Sequence, residues 1–129
     1  MINCEVKVFN KVHGAINSIC GRFVSTPILD YTKIPAASLY EMDNAVVRNL
    51  QSSTPIENYA LITYQFEVVA PTKAKCREIF CAADEEMIAL NFNRLSGQYV
   101  TYPDNTKIVR YVARYEAIVD RDGNLYRRG

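Results

Sequence analysis

Thr106–Arg128, TKIVRYVARYEAIVDRDGNLYRR, is the stretch that decides the fold. Successive side chains of a strand point to opposite faces, so Val109, Tyr111, Ala113, Tyr115, Ala117 and Val119 share one side. That side reads as core. Arg110, Val112, Arg114, Glu116 and Ile118 share the other, where two arginines and a glutamate mix with aliphatics. Such a face suits contact with another protein better than chemistry or plain solvent. Asp122-Gly123 signals a tight hairpin, with Asn124 to Arg127 folding back on the strand. Arg121, Arg127 and Arg128 crowd the tip, which reads either as a solvated end or as contact with an acidic neighbour or nearby DNA.

Moving toward the N-terminus, Pro103, Asp104 and Asn105 make a turn, and Arg94 to Tyr102 reads as a strand that Gly97 interrupts. Before it, Lys73 to Asn93 carries the strongest helical pattern. Cys76, Ile79, Phe80, Ala83, Met87 and Leu90 form one apolar stripe, with Asp84, Glu85 and Glu86 off it as a solvated face. Thr72 is placed to cap this helix, just after Pro71 ends the preceding segment. Glu57 to Ala70, rich in β-branched and aromatic residues, reads as a long strand, and Ala36 to Asp43 as another. Asn44 to Pro55 between them reads as a long loop, either functional or ordered only on assembly.

Residues 22–35 read as an irregular connection with at most a short extended piece. Residues 2–20 place Ile2, Val6, Phe9, Val12, Ile16 and Ile19 at helical spacing, with Gly21 as a stop. A rival reading makes Cys4 to Phe9 a strand. The sum is an α+β fold: an antiparallel or mixed sheet, two helices packed on one face, and a C-terminal β-hairpin. The length of 129 residues suits a single domain, 1–129.

An apolar fraction of 49% and a charged fraction of 22% are those of a globular chain. The net charge of +1 gives no bulk attraction to nucleic acid or membrane. It is uneven, since residues 1–93 carry eight basic and ten acidic side chains and residues 94–129 carry seven and four. No apolar run approaches the roughly 20 residues of a membrane helix, and the N-terminus lacks the pattern of a signal peptide. Cys4, Cys20, Cys76 and Cys81 lack paired spacing and read as reduced, buried small hydrophobes. With one histidine, His13, zinc is disfavoured. A Cys-His pair of His13 with Cys4 or Cys76 is a weaker reading than a structural histidine. Asp84, Glu85 and Glu86 point in different directions on a helix and do not converge on a cation. No phosphate-cradling glycine motif occurs. No catalytic, cofactor or metal site is therefore expected. The nine tyrosines suit either a stacking platform for single-stranded nucleic acid or, better, buried rings at protein contacts.

Several blocks, in order over residues 36–128, resemble the small tail-completion proteins of tailed bacteriophages. Leu39-Tyr40-Glu41-Met42-Asp43-Asn44 resembles a strand of that family, and Glu57-Asn58-Tyr59-Ala60 leading into Tyr64-Gln65-Phe66-Glu67-Val68 resembles the strand that follows. Lys75-Cys76-Arg77-Glu78-Ile79 through Asp84-Glu85 and Asn91-Phe92-Asn93-Arg94 resembles its long helix and exit. Arg110 to Ala117 with Leu125-Tyr126-Arg127-Arg128 resembles its final strand and tip. Asn91-Phe92-Asn93 departs from the small residues and glycine expected after the helix.

The resemblance to tail terminators implies a non-enzymatic virion protein assembled in the host cytoplasm. It implies a homo-oligomeric ring, commonly hexameric, at the head-proximal end of the tail tube. There it would stop tube polymerisation and meet head-completion proteins of the neck, with DNA passing through the lumen. Arg110, Val112, Arg114, Glu116, Arg127 and Arg128 become candidates for a subunit interface or lumen, and Asn44, Arg48 and Gln51 for an inter-ring loop. Arg110 or Arg114 is expected to pair with Glu41, Asp43 or Glu67, within or between subunits. A head-closure or connector protein of the neck is the nearest alternative. A small nucleic-acid-binding module is the alternative from another class.

Overall fold

A computed structural model describes residues 3–28, 34–46, 59–100 and 108–127. Helix α1 (Glu5–Ile16) is followed by a two-residue strand β1 (Phe23–Val24) and two long strands, β2 (Ala36–Val46) and β3 (Tyr59–Ala70). Helix α2 (Lys73–Ala89) then leads to β4 (Asn93–Val100), β5 (Val109–Asp120) and the short β6 (Leu125–Tyr126). The sheet order is β1-β2-β3-β5-β4, with β6 pairing β5 past the end of β4. Only β1 with β2 is parallel, so the sheet is mixed and the C-terminal hairpin is formed. The α+β architecture is as expected. Among the described residues no helix is long and apolar enough to cross a membrane.

The pairing of β3 with β5 runs through all of both strands, from Tyr59 opposite Asp120 to Ala70 opposite Val109. It stacks Ile62 on Ala117, Tyr64 on Tyr115 and Phe66 on Ala113 on one face. Both helices bury their stripes against that face: Val8, Val12 and Ile16 from α1, and Cys76, Ile79, Phe80, Ala83 and Met87 from α2. Full burial of the valine, isoleucine, phenylalanine and methionine side chains among these contributes about 1.5–3 kcal/mol each. Val69 points to the opposite face, where a smaller cluster joins it with Ile28 and Ala36.

The α1 stripe differs from the sequence reading. Cys4, Val8, Val12 and Ile16 are buried, while Val6 is 73% exposed. Two residues turn a helix by about 200°, so Val6 and Val8 cannot both face the core, and Val8 is the one aligned with Val12 and Ile16. The α2 start matches expectation: the Thr72 hydroxyl accepts from the Lys75 N–H at 3.1 Å. Its end comes four residues early. Asn91 turns left-handed (φ 72°), its N–H donates to the Ile88 carbonyl, and the Phe92 N–H donates to that of Met87, both at 3.0 Å. This is a Schellman stop, and Phe92 drops into the core against Met87 and the edge of the Tyr64 ring. Asparagine tolerates that conformation better than most non-glycine residues, which is how the helix ends here without a glycine.

Strand β2 runs through Asn44 to Val46, so the start of the expected loop is strand. Residues 47–58, like the expected turn at Pro103 to Asn105, lie outside the described residues. Both outlying long strands carry bulges, β2 around Met42 and β4 around Leu95. Gly97 does not break β4. It lies opposite Ala113, and the Tyr111 ring occupies the place where a Gly97 Cβ would stand. Tyr111 is itself wedged between Phe80 (4.1 Å between centroids) and Tyr99 (4.9 Å). Gly97→Ala is expected to destabilise the fold by about 1–3 kcal/mol through this overpacking. Adding Tyr111→Phe, which removes the colliding hydroxyl, should recover part of the loss in denaturant melts; equal melts for Gly97→Ala and wild type would refute this.

Candidate functional site

The parity of β5 places Arg110, Val112, Arg114 and Glu116 on the face away from the helices, as the alternation implies. Register adds what alternation cannot. Gln65 lies opposite Tyr40 on one side and Arg114 on the other, and Glu67 lies between Ser38 and Val112. A polar chain crosses the sheet through these positions. Arg114 Nε donates to Gln65 Oε1 at 3.3 Å, and Gln65 Nε2 donates to the Tyr40 hydroxyl at 2.6 Å. Arg110 reaches diagonally to Glu67, Nη2 to Oε2 at 2.8 Å. The expected arginine–carboxylate pair thus forms within one chain, at Arg110, while Arg114 takes an amide instead.

Burial falls along this face. Val69 sits under the small cluster with Ile28 and Ala36 at one end, and Glu67 beside it is only 2% exposed. Gln65 is buried, Thr63 and Leu61 are half-buried, and Arg114 stands exposed. Glu67 Oε1 and Ser38 Oγ, on facing residues, are buried and have no hydrogen-bond partner among the described residues. Burial pushes the Tyr40 hydroxyl pKa up, and the nearby Glu67 charge adds to it against the pull of Arg110 and Arg114. A carboxylate this deep is tolerable only beside its arginine, so the pair fixes the face more than it stabilises it.

The remaining candidates separate. Arg127 donates to the Ile88 carbonyl at 2.7 Å, and the Asn91 side-chain amide donates to the Leu125 carbonyl at 3.0 Å. The arginine at the tip therefore clamps the hairpin to the end of α2, a structural duty that the sequence reading did not assign. Asn44 belongs to β2, where its amide donates to Glu41 Oε1 at 3.3 Å. Arg48, Gln51 and Arg128 lie outside the described residues. At the hairpin, Asp120 Oδ1 accepts from the N–H groups of Asp122 and Asn124, and Oδ2 accepts from the Asn124 amide and the Tyr126 hydroxyl.

Two expectations are corrected. Cys81 is exposed while Cys4, Cys20 and Cys76 are buried, because position 81 falls outside the stripe that runs through Ile79, Phe80 and Ala83. Burial pushes the Cys76 thiol up to about 11, which keeps it protonated and unreactive at neutral pH. Asp84 is not part of a solvated face. It accepts from the Tyr115 hydroxyl at 2.7 Å and pairs with Arg94 at 3.1 Å, tying α2 to β4 and β5. His13 is exposed and stacks beside Phe9 and Phe23, each 6.1 Å away. Tyr64 and Tyr115 are fully buried on the helix-covered side, so they offer no stacking platform.

No protein-family model matches the chain, and no curated protein matches it. Gln65 and Tyr40 were missed in the sequence because only cross-strand register brings them to Arg114. A polar residue on the outward parity of a long apolar strand was the available signal.

Arg110→Met should cost about 3 kcal/mol, since it strands a buried carboxylate. Glu67→Leu in the same chain should restore most of it, giving a large coupling in a double-mutant cycle; additive losses would show the pair to be incidental. The Asp120 carboxyl is held below the usual range chiefly by the Asn124 N–H, then by the Asn124 amide and the Tyr126 hydroxyl. Its support for the hairpin is fully present above its unfolded value of about 3.9 and is lost as pH falls through the lower folded value. Amide exchange or NMR shifts at Asn124 should therefore change in that acid window, and Asp120→Asn should abolish the change.

Proposed function

We propose that this chain is a ring-forming structural protein of a tailed-phage virion, a tail terminator at the head-proximal end of the tail tube. It ends tube polymerisation and presents a surface to head-completion proteins of the neck. The ordered resemblance over residues 36–128 supports the family, and one observation supports the mode of action. Among the described residues no helix covers one long face of the sheet, and on it a hydrogen-bonded chain holds Arg114 outward among half-buried aliphatics. Rigid, charged and partly apolar surfaces of this kind are suited to a fixed subunit joint. Nothing in this reading needs a catalytic group.

The test is assembly. Light scattering on a sizing column should give a mass several times that of the 14.7 kDa chain, and negative-stain images should show discs. Phage lacking the protein should make tails of uncontrolled length. Tails of normal length that fail to join heads would favour a neck protein instead. A monomer that retains labelled oligonucleotide at moderate salt would overturn the reading in favour of a nucleic-acid-binding module.

A further inference from the structure

We infer that the subunit joint is helix on sheet: the outward stripe of α2 in one copy packs on the open sheet face of the next. The inference rests on the ring reading above and names its interface. The stripe consists of Ala74, Glu78, Cys81, Glu85 and Ile88, at spacings of four, three, four and three, all exposed. Positions so spaced lie along one side of a helix. Ile88 is a large aliphatic 38% exposed, and Glu85 has no ion-pair partner among the described residues. The sheet face offers the converse pattern. Val112 and Ile118 are half-buried, and between them stands Arg114, whose Nε is held by Gln65 while its two Nη groups have no partner among the described residues. A guanidinium held by one edge and open at the other is preorganised for a carboxylate.

Three other modes of self-association are disfavoured on the same observations. Sheet face on sheet face about a two-fold axis passing at Arg114 brings the two copies of that arginine together. Helix on helix about an axis passing at Glu85 does the same with two glutamates. Edge-to-edge strand addition meets the bulges around Met42 in β2 and Leu95 in β4, devices that blunt an edge. Helix on sheet instead matches the unpaired glutamate to the open arginine and aliphatic to aliphatic. Because the two surfaces lie on opposite sides of the subunit, the contact is head-to-tail, the class that closes into a ring when the rotation between successive copies divides a full turn.

Charge exchange tests this. Glu85→Arg and Arg114→Glu, each checked for an unchanged far-ultraviolet spectrum, should reduce the assembled fraction at least about tenfold in sizing with light scattering. The double variant should restore the ring. A second measurement uses the one exposed native thiol among the four cysteines, Cys81. Val112→Cys or Glu116→Cys, positions flanking Arg114, should oxidise to a ladder extending beyond dimer, and Cys81→Ser should remove that ladder. Dimers alone, or a product that survives Cys81→Ser, mean an isologous contact and overturn the inference. A wild-type ring indifferent to both charge reversals overturns this interface and leaves the ring reading standing. A wild-type monomer at every concentration overturns both.

Discussion

Everything in this protein hangs on the pairing of Tyr59–Ala70 with Val109–Asp120. Both strands are twelve residues long and pair without a bulge over their whole length. A strand slipped by one residue would turn every side chain to the wrong face. In the observed register one face stacks Tyr64, Phe66, Tyr115 and Ala117 under the helices, and the other aligns Gln65 and Glu67 with Arg114 and Arg110. Core and candidate surface are therefore set by the same ladder. The apolar face specifies the register, and the polar chain on the back follows from it.

The two sides bear on function differently. On the helix side, polar groups serve the packing: Asp84 gathers the Tyr115 hydroxyl and Arg94, and Asn91 and Arg127 bind the hairpin to the end of α2. These contacts tie the layers of the fold into one block. On the open side, the only deep charge among the described residues, Glu67, is fixed by Arg110 next to the covered end, and the arginine farther along is left outward. Both features fit the proposed assembly, in which a preorganised surface would lose little to ordering at a joint.

Much of the architecture was legible in the sequence because its signals are local. The period-two alternation of Val109 to Val119, the Asp122-Gly123 turn, the Thr72 cap and the apolar stripe of α2 each follow from a few neighbouring residues. The errors also have local causes. The α1 stripe is ambiguous in the sequence because several apolar residues, Val6 among them, compete for two faces of a short helix. The α2 end is hidden because a left-handed asparagine resembles helix interior until its hydrogen-bond partners are known.

The sequence by itself determined the elements and which side of β5 would be core, since side-chain direction along a strand is a property of the chain alone. Only the tertiary structure decided that Arg110 would find Glu67, that Arg114 would be held by Gln65 and Tyr40, and that Arg127 would cap a helix 39 residues away. Those outcomes depend on cross-strand register and layer packing. Both join residues far apart in the chain, and the free energy that selects them is spread over the whole buried face rather than stored at any one position.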